Sequence, residues 1–360
     1  RNAVRLAIDR ANAAGGVAGV DLALNAYDTT GDPARAAAAA KEMAKDPRTI
    51  AAVGPFTSPE AGQTIPITTR AGLLECSPST TYGGLTKPEL GALKFRAAHP
   101  NRINYVRLAP YDVVQNRALA SFVTHELGAE SVLLVADPKW QGDATAFAEA
   151  FAALGGQVAQ AKLRPGTSPA TALGPLDDAS APDVVVFEGD TNSGAAKVRR
   201  AMREAGHEST PFVSTDGILD GSGAAAGSYL TRAGKAAAGT YATLASIAPP
   251  RADFVDAYRS AFGEEPTDNA AAAYACVQVI LASLNAIAAD GPGADGLREA
   301  LRAYAVDPDH RFETAIGTVG FDANGDSTQQ VVSWYRVDPE GADGAGDWVL
   351  VKQQDFGSAP

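Results

Sequence analysis

Residues with hydroxyl side chains follow two short apolar runs of the sequence. They are Ser58, after the run 49–53, and Ser79, Thr80 and Thr81, after the run 72–77. Ser and Thr hydroxyls, together with the free N–H groups at the start of a helix, suit a carboxylate. A hydroxyl before a helix is more often a simple N-cap. The shared position of these residues after predicted strands nevertheless favours a receptor for a small anion.

Acidic residues follow two later runs. Asp190 comes after the run 183–187, and Asp216 comes after the run 211–214. A carboxylate at these positions suits an ammonium group, whereas the plainer interpretation of Asp-Gly is a turn. Hydroxyls in one place and carboxylates in another match the two ends of a zwitterion such as an amino acid. We therefore expect a small polar ligand that carries both charges.

The elements that must position these residues are strands and helices in alternation. The runs 131–136 and 183–187 are continuously apolar, as in strands that are buried on both faces, and longer helical patterns separate such runs. This alternation predicts an α/β fold built on parallel sheets, in which ligands bind beyond the carboxyl ends of the strands. Asp32 and Pro33 predict the start of a helix, and the alternating run 20–26 predicts a strand.

Composition excludes several classes of protein. The chain has 360 residues and a formal net charge of −12, which argues against general binding to nucleic acids and to anionic membranes. We see no apolar run of about 18 residues that could span a bilayer. Asp322, Asn324 and Asp326 imitate the start of a calcium loop, but the twelfth position is Ser333 instead of Glu, so we expect a tight turn.

The two cysteines, Cys76 and Cys276, lie far apart in apolar stretches. No CxxC pair accompanies them, so a zinc or iron–sulfur site is not expected. Either one disulfide or two buried thiols fits this pattern, and we favour two buried free thiols. We expect no metal site and no cofactor.

Ordered motifs along nearly the whole chain resemble those of type I periplasmic binding proteins, in particular the leucine/isoleucine/valine-binding proteins of ABC transporters. Single motifs are weak, but their order and spacing are specific. They are Asn12-Ala13-Ala14-Gly15-Gly16, Tyr27-Asp28 with Asp32-Pro33, Val53-Gly54-Pro55 with Ser58, Ser77-Pro78-Ser79-Thr80-Thr81, Tyr105-Val106-Arg107 with Asp112 and Gln115, Thr215-Asp216-Gly217, and Phe321-Asp322-Ala323-Asn324-Gly325-Asp326.

This resemblance implies an architecture and a set of ligand contacts. Two doubly wound parallel-sheet lobes, 1–110 plus 248–318 and 111–247 plus 319–360, would be joined by three hinge strands and would hold the ligand between them. Ser58 and Thr81, with backbone near Ser79 and Thr80, would bind the ligand carboxylate. Asp216 would bind the ammonium group. The family's lobe-closing aromatic position falls at Asn192 or Thr191, and Trp140 lies in a loop that faces the ligand in the family.

The resemblance also implies a function without catalysis. We expect an extracytoplasmic solute-binding protein that captures an amino acid or related carboxylate for an ABC permease. The chain begins inside the first helix of the family, so either the strand and loop that precede this helix in the family belong to the natural protein, or another segment fills their place. A domain taken from a longer receptor would fit this start, and a ligand-sensing ectodomain with a membrane signalling partner is the alternative. Alanines at 270–273, where relatives place an aromatic residue, imply a roomy pocket. An α/β enzyme with Asp190 or Asp216 as a base is disfavoured, since no nucleophile, metal set or cofactor loop accompanies them.

Overall fold

The structure is a computed structural model that describes residues 1–163, 168–178, 180–288 and 296–357. The chain folds into two compact units. The first unit contains residues 1–111, 246–331 and 357, and the second contains residues 112–245 and 332–356.

The first unit contains helices and short strands in alternation, followed by a helical region and a small hairpin. Its elements are α1 (Asn2–Ala13), α2 (Pro33–Lys45), β1 (Ala51–Val53), α3 (Ser58–Ala71), β2 (Leu74–Ser77), β3 (Tyr105–Arg107), α9 (Ala252–Phe262), α10 (Asp268–Ala288), α11 (Leu297–Ala305), β9 (Phe312–Thr314) and β10 (Gly317–Val319). Three short 3-10 helices, Gly83–Leu85, Pro88–Leu90 and Ala92–Lys94, lie between β2 and β3.

Local sequence signals set the helix starts of this unit. Asp32 caps α2 through a 2.7 Å bond from the Ala34 N–H to its Oδ1, with Pro33 in the first turn, as the sequence predicts. Thr57 caps α3 in a reciprocal pair with Glu60, the third residue of the helix. These caps fix where each helix begins after the preceding loop.

The sheet of the first unit has the order β1-β2-β3, and its strands are parallel. The long apolar helix α10 packs against β1 and β2 in the core of this unit. Cys76 of β2 and Cys276 of α10 form a disulfide, with their Cα atoms 5.7 Å apart. The expectation of two free thiols was therefore wrong. Both residues are fully buried, and it is the packing of α10 on the sheet that brings them together.

Two further sequence expectations for this unit were wrong. Residues 21–26 form no strand, and Leu22 is held instead by the side chain of Asn12 through two backbone bonds of 2.8 and 2.9 Å. In addition, residues 269–288 of α10 are long and apolar enough to cross a membrane by length and composition, with a mean hydropathy of 1.7. Most of that stretch is buried inside the protein, as is expected for a core helix of this composition.

The second unit is a seven-stranded sheet covered by helices. Its elements are α4 (Asp112–His125), β4 (Ser131–Ala136), α5 (Gln141–Ala153), β5 (Gln157–Lys162), α6 (Pro169–Ala172), β6 (Val184–Glu188), α7 (Ala195–Glu204), β7 (Phe212–Ser214), α8 (Tyr229–Ala233), β8 (Thr240–Ala245), β11 (Val331–Asp338, whose first residue groups with the first unit), α12 (Gly341–Gly344) and β12 (Asp347–Asp355).

The strand order in this unit is β12-β11-β8-β7-β6-β4-β5. The strands from β8 to β5 run parallel, and β11 pairs antiparallel with β8. Successive residues of β6 alternate between two cores: Val184 and Val186 pack with α4 and α5, whereas Val185 and Phe187 pack on the other face. The predicted α/β class with parallel sheets is thus confirmed, and burial on both faces explains the continuous apolar runs.

The chain passes between the units at residues 111–112, 245–246 and 331–332, and it returns to the first unit at residues 356–357. The third passage lies later than the predicted one at 318–319. Residues 319–331 stay with the first unit because Phe321 is buried in its core and Asp326 is bonded to Arg107 of β3. An ion pair between such distant positions leaves no local signal in the sequence.

Candidate functional site

The first unit brings its hydroxyl-bearing loops to one edge of its sheet. β1 and β2 are parallel, with Val53 opposite Cys76, so both strands end at that edge. The loop after β1 leads to Ser58, the first residue of α3, and the loop after β2 carries Ser79, Thr80 and Thr81. The candidate residues of this unit therefore occupy two neighbouring loops.

Ser58 and Ser79 join these loops in opposite senses. Ser58 Oγ accepts a hydrogen bond from the Tyr82 N–H at 3.2 Å, and its own proton remains available for donation. Ser79 Oγ donates to the Phe56 carbonyl at 2.7 Å. While that bond holds, the Ser79 hydroxyl can only accept. Ser58 is therefore suited to donate to an anion, and the Ser79 side chain is suited to hold the loop.

The Thr80 side chain faces the interior. It is 1% exposed, and its hydroxyl is hydrogen-bonded to the hydroxyl of Tyr105. The backbone N–H groups of Ser79 and Thr80 make only long bonds, 3.4 and 3.3 Å, to Ser77 Oγ. A contribution of Thr80 to ligand binding would thus come from its backbone. Ser77, which the sequence did not single out as a site residue, positions both of these groups.

Arg107 fixes the backbone around Thr81 through hydrogen bonds to neighbouring carbonyl groups. This fully buried residue donates from Nη1 to the Tyr82 carbonyl at 2.8 Å and, more weakly, to the Thr80 carbonyl at 3.5 Å. Its Nε lies 2.7 Å from Asp326 Oδ1. The half-buried Thr81 is thereby fixed between two anchored carbonyls. Arg107 was not predicted as a site residue, because its partners are distant along the chain.

A lysine occupies the centre of the acidic turn that imitates a calcium loop. Lys87 Nζ lies 2.6 Å from Asp322 Oδ2 and 2.9 Å from Asp326 Oδ2. Burial by itself would raise the pKa of Asp326, but Arg107 and Lys87 hold that pKa below its ordinary value. The ammonium group of Lys87 thus balances the negative charge of the turn, at the place where a calcium loop would hold its ion.

Two exposed aromatic residues flank the hydroxyl loops. Phe56 is 59% exposed and Tyr82 is 45% exposed. A Cβ atom on Gly84 would lie 2.5 Å from the Tyr82 ring, so glycine at this position allows the ring to lie over the loop. An exposed ring beside polar donors is a common arrangement in small-molecule sites, because it gives an apolar wall next to a polar anchor.

The second unit collects carboxylates at the carboxyl end of its own parallel strands. Asp216 follows β7, Asp143 lies in the first turn of α5, and Asp112 begins α4. We call these three residues the acidic cluster. Gln115 Nε2 donates to Asp216 Oδ1 at 2.8 Å and to the Thr243 carbonyl at 3.0 Å. This amide fixes the Asp216 carboxylate, while the Asp216 side chain as a whole stays exposed.

The acidic cluster surrounds a fourth carboxylate that the sequence did not single out. Glu188, the last residue of β6, is 0% exposed, and neither of its carboxyl oxygens has a hydrogen-bond partner among the residues that the structure describes. Burial first, and then the charges of Asp143, Asp216 and Asp112, raise its pKa well above the ordinary value. The sequence signal that could have revealed this residue is an acidic side chain at the end of a continuously apolar strand.

Asp143 and Asp216 also ionise less readily than free carboxyl groups. Burial, followed by the charges of Asp112 and Asp216, raises the pKa of Asp143 to about 7. The packing around the carboxyl group of Asp216 raises its pKa, against the opposing hydrogen bond from Gln115. This edge of the second unit therefore repels further negative charge and favours cations.

The other predicted residues of this unit lie near the same strand ends. Thr191 is buried, and its Oγ1 has no hydrogen-bond partner within the described part of the chain, whereas Asn192 is exposed in the same loop. Trp140 is half-buried in the short helix Pro138–Trp140, directly before α5. Asp190 is different, because its Oδ1 accepts the Ser193 N–H at 2.6 Å and closes the loop. Asp190 therefore serves as a loop cap.

Comparisons with known proteins agree on one family. The family model described as "Periplasmic binding protein" matches residues 1–345. A Leu/Ile/Val-binding protein, BraC3, of Rhizobium johnstonii is 27% identical over 347 residues, which cover 93% of this chain and 86% of that protein. An amino acid binding protein of Pseudomonas aeruginosa is 26% identical and covers 92% of this chain and 83% of its own length.

Solved structures show the same fold. The ABC transporter substrate-binding protein of Desulfitobacterium hafniense in complex with Leu has a TM-score of 0.73 at 22% identity and covers 97% of this chain and 94% of its own. A solute-binding protein of Rhodopseudomonas palustris in complex with 3,4-dihydroxybenzoic acid has a TM-score of 0.65 at 20% identity, with coverages of 98% and 91%. With nearly its whole length matched, this chain belongs to the periplasmic binding protein family.

Proposed function

We propose that this protein captures an amino acid or a related carboxylate outside the cytoplasm and delivers it unchanged to an ABC permease. The observation that carries the proposal is the opposite chemistry of the strand ends in the two units. The first unit presents hydroxyl donors there, and the second unit presents carboxylates. A zwitterion needs one group of each kind. The relatives named for binding Leu/Ile/Val and amino acids support this ligand class.

The carboxylate of the ligand would be held by Ser58 and Thr81, with the backbone N–H groups of Ser79 and Thr80. Ser58 keeps a free proton, and the long bonds of the two N–H groups can be exchanged for shorter bonds to an anion. Phe56 and Tyr82 would form an apolar wall beside this anchor. We assign no side-chain bond to Thr80.

The ammonium group of the ligand would be held by Asp216, which Gln115 fixes in position. Asn192, Thr191 and Trp140 lie at neighbouring strand ends and would contact the remainder of the ligand. No residue is assigned a catalytic role, and relatives of the chain are named as binding proteins. The ligand recovered from the protein should therefore have an unchanged mass.

An extracytoplasmic location is supported by the disulfide between Cys76 and Cys276. Structural disulfides form and persist in oxidising compartments and are rare in the cytosol. The family name gives the same location.

The test is calorimetric titration of the protein with amino acids and with carboxylic acids that lack an amine. We expect an amino acid to bind, Asp216→Asn to weaken its binding by about 2 kcal/mol, and Thr81→Val by about 1 kcal/mol. The matched controls are Glu149→Gln and Thr171→Val, which change exposed residues of the second unit and should leave binding unaltered. Binding of amine-free acids alone, with no effect of Asp216→Asn, would refute the amino-acid proposal.

A further inference from the structure

The buried carboxylate of Glu188 points toward the acidic cluster. Side chains alternate between the faces of a strand, so Glu188 shares its face of β6 with Val184 and Val186. Those two valines pack in the core that contains α4 and α5. Asp112 begins α4, and Asp143 lies in the first turn of α5. Geometry alone therefore places Glu188 beneath the start of both helices.

Register places the remaining acid beside it. Glu188 lies opposite Ala136 of β4, and its neighbour Phe187 lies opposite Ser214 of β7. Asp216 follows Ser214 by two residues and is held by Gln115 of α4. Glu188 is thus the most deeply buried residue of this group, in which Asp143 is half-buried and Asp216 is exposed.

A fully buried carboxyl group without a hydrogen-bond partner is costly in a folded protein. Both oxygens of Glu188 are in that state, and the titratable groups that act on it are carboxylates. The described part of the protein supplies no hydrogen-bond partner to this carboxyl group, and a bound ligand could supply one. The surrounding acids favour a positively charged donor, and its binding would release the proton that the raised pKa of Glu188 retains.

The spacing of the acids favours an elongated cation over a metal ion. Among the residues that the structure describes, no three His, Cys, Asp or Glu side chains are close enough together to hold a metal ion. Glu188 is fully buried whereas Asp216 is exposed, and carboxyl groups at such different depths suit nitrogen atoms separated by a carbon chain. A ligand with one ammonium group at Asp216 and a second cationic group at the other end of its chain would place one charge at each depth.

We propose that the ligand is an amino acid with a basic side chain, whose amine or guanidinium group binds Glu188 and Asp143 while its α-ammonium group binds Asp216. This inference rests on the proposed function and names the ligand class more narrowly. Trp140, half-buried just before α5, lies three residues before Asp143. Its ring can stack on a cationic side chain.

Three ligands separate this inference from the proposed function. L-lysine has both amines and the carboxylate, L-norleucine lacks the side-chain amine, and cadaverine lacks the carboxylate. The probe is calorimetric titration of the full chain at pH 8, where Asp143 is ionised. We expect lysine to bind at least about tenfold more tightly than norleucine and cadaverine, because each loses one charged contact.

Matched variants then test Glu188 itself. Glu188→Gln keeps the shape and removes the acid, and Asp143→Asn does so at a half-buried position. Each should weaken lysine binding by about tenfold or more and should leave norleucine binding within about twofold. Glu149→Gln, an exposed acid on the same helix as Asp143, should change neither. Asp143→Asn keeps the test decisive should Glu188→Gln fail to fold.

The outcomes are distinct. If norleucine binds as tightly as lysine, the basic side chain is wrong and the proposed function stands. If cadaverine binds as tightly as lysine, recognition of a carboxylate and with it the proposed function is wrong, while the role of Glu188 stands. Lysine binding that is unaffected by both Glu188→Gln and Asp143→Asn overturns the inference. If none of the three ligands binds, the inference is overturned, and the wider amino-acid titration decides the proposed function.

Discussion

Asp143 ionises close to neutral pH, and this has a consequence for stability. Its pKa rises from an ordinary 3.8 to about 7 on folding, so the folded protein binds a proton more strongly than the unfolded chain. The stability that comes from this proton is fully present below about pH 4 and is lost as the pH rises to about 7. Above neutrality the folded state carries a repelled charge.

Replacing Asp143 by Asn should therefore stabilise the ligand-free protein at pH 8. We expect a gain of about 1–2 kcal/mol, allowing for screening by solvent at this half-buried position, and no gain near pH 4. Urea unfolding of both proteins from pH 4 to pH 8 measures the difference. Burial also raises the pKa of Glu75, in the first unit, to about 7. Because both proteins contain Glu75, its contribution cancels in the difference. An equal or lower stability of the variant at pH 8 would contradict the repulsion.

Single residues also show what the sequence could not reveal. The position of Asp216 after a strand was readable, and so was that of the hydroxyl loops. The inward turn of Thr80 was not, because its partner Tyr105 comes 25 residues later. The burial of Glu188 depends on the packing of α4 and α5 over β6, which no local pattern encodes.

Among the connecting elements, the turn 322–326 depends on a residue from elsewhere. Lys87 supplies its positive charge, and this lysine is itself largely buried. Removing one partner of a buried ion pair leaves the other charge uncompensated. The turn and the 3-10 helices around Lys87 therefore form one cooperative element.

Lys87→Met should destabilise the protein by about 3 kcal/mol at pH 7. The loss should shrink in acid, because the lowered pKa of Asp326 makes its contribution present above about pH 4 and lost below that. Lys94→Met, which removes an exposed lysine of a neighbouring 3-10 helix, is the control and should change stability by less than about 0.5 kcal/mol. Equal effects of the two substitutions in chemical unfolding would show that the ion pairs contribute nothing.

Elements were predictable where their signals were local. Asp32 and Pro33 marked the start of α2, and the apolar runs of β4 and β6 marked buried strands. The run 20–26 has the alternation of a strand but pairs with none of the described strands, since Asn12 holds it instead. Alternation reports a preference for extended backbone, and pairing depends on a neighbour.

For the whole molecule, the disulfide links the two parts of the first unit that the second unit separates along the chain. Cys76 and Cys276 are 200 positions apart, so the bond removes much of the freedom of the unfolded chain. By the loop-entropy relation its contribution is about 5 kcal/mol, at the upper end of the usual range. The sequence did not decide between bond and thiols, because only the packing of α10 on β2 brings the two residues within reach.

Reduction should therefore lower the melting temperature substantially. We expect a drop of several degrees when the native protein is compared with its fully reduced form, and a similar drop for the Cys76→Ala/Cys276→Ala variant. Differential scanning calorimetry with and without a phosphine reductant measures both. The reductant should have no effect on the double variant, which serves as its control. Identical melting temperatures with and without reductant, confirmed by thiol titration, would mean that the bond does not stabilise the fold.

The disulfide also constrains the order of events during synthesis and folding. Cys76 leaves the ribosome 200 residues before Cys276, which at about 5–20 residues per second is about 10–40 seconds. During that interval the five parallel strands that the structure describes in the second unit have been made, as the last of them ends at Ala245, whereas the first unit still lacks α10. The growing chain therefore carries an unpaired thiol while those strands are already present, and both units are completed only by the last third of the chain, which supplies α10 to the first unit and β11 and β12 to the second.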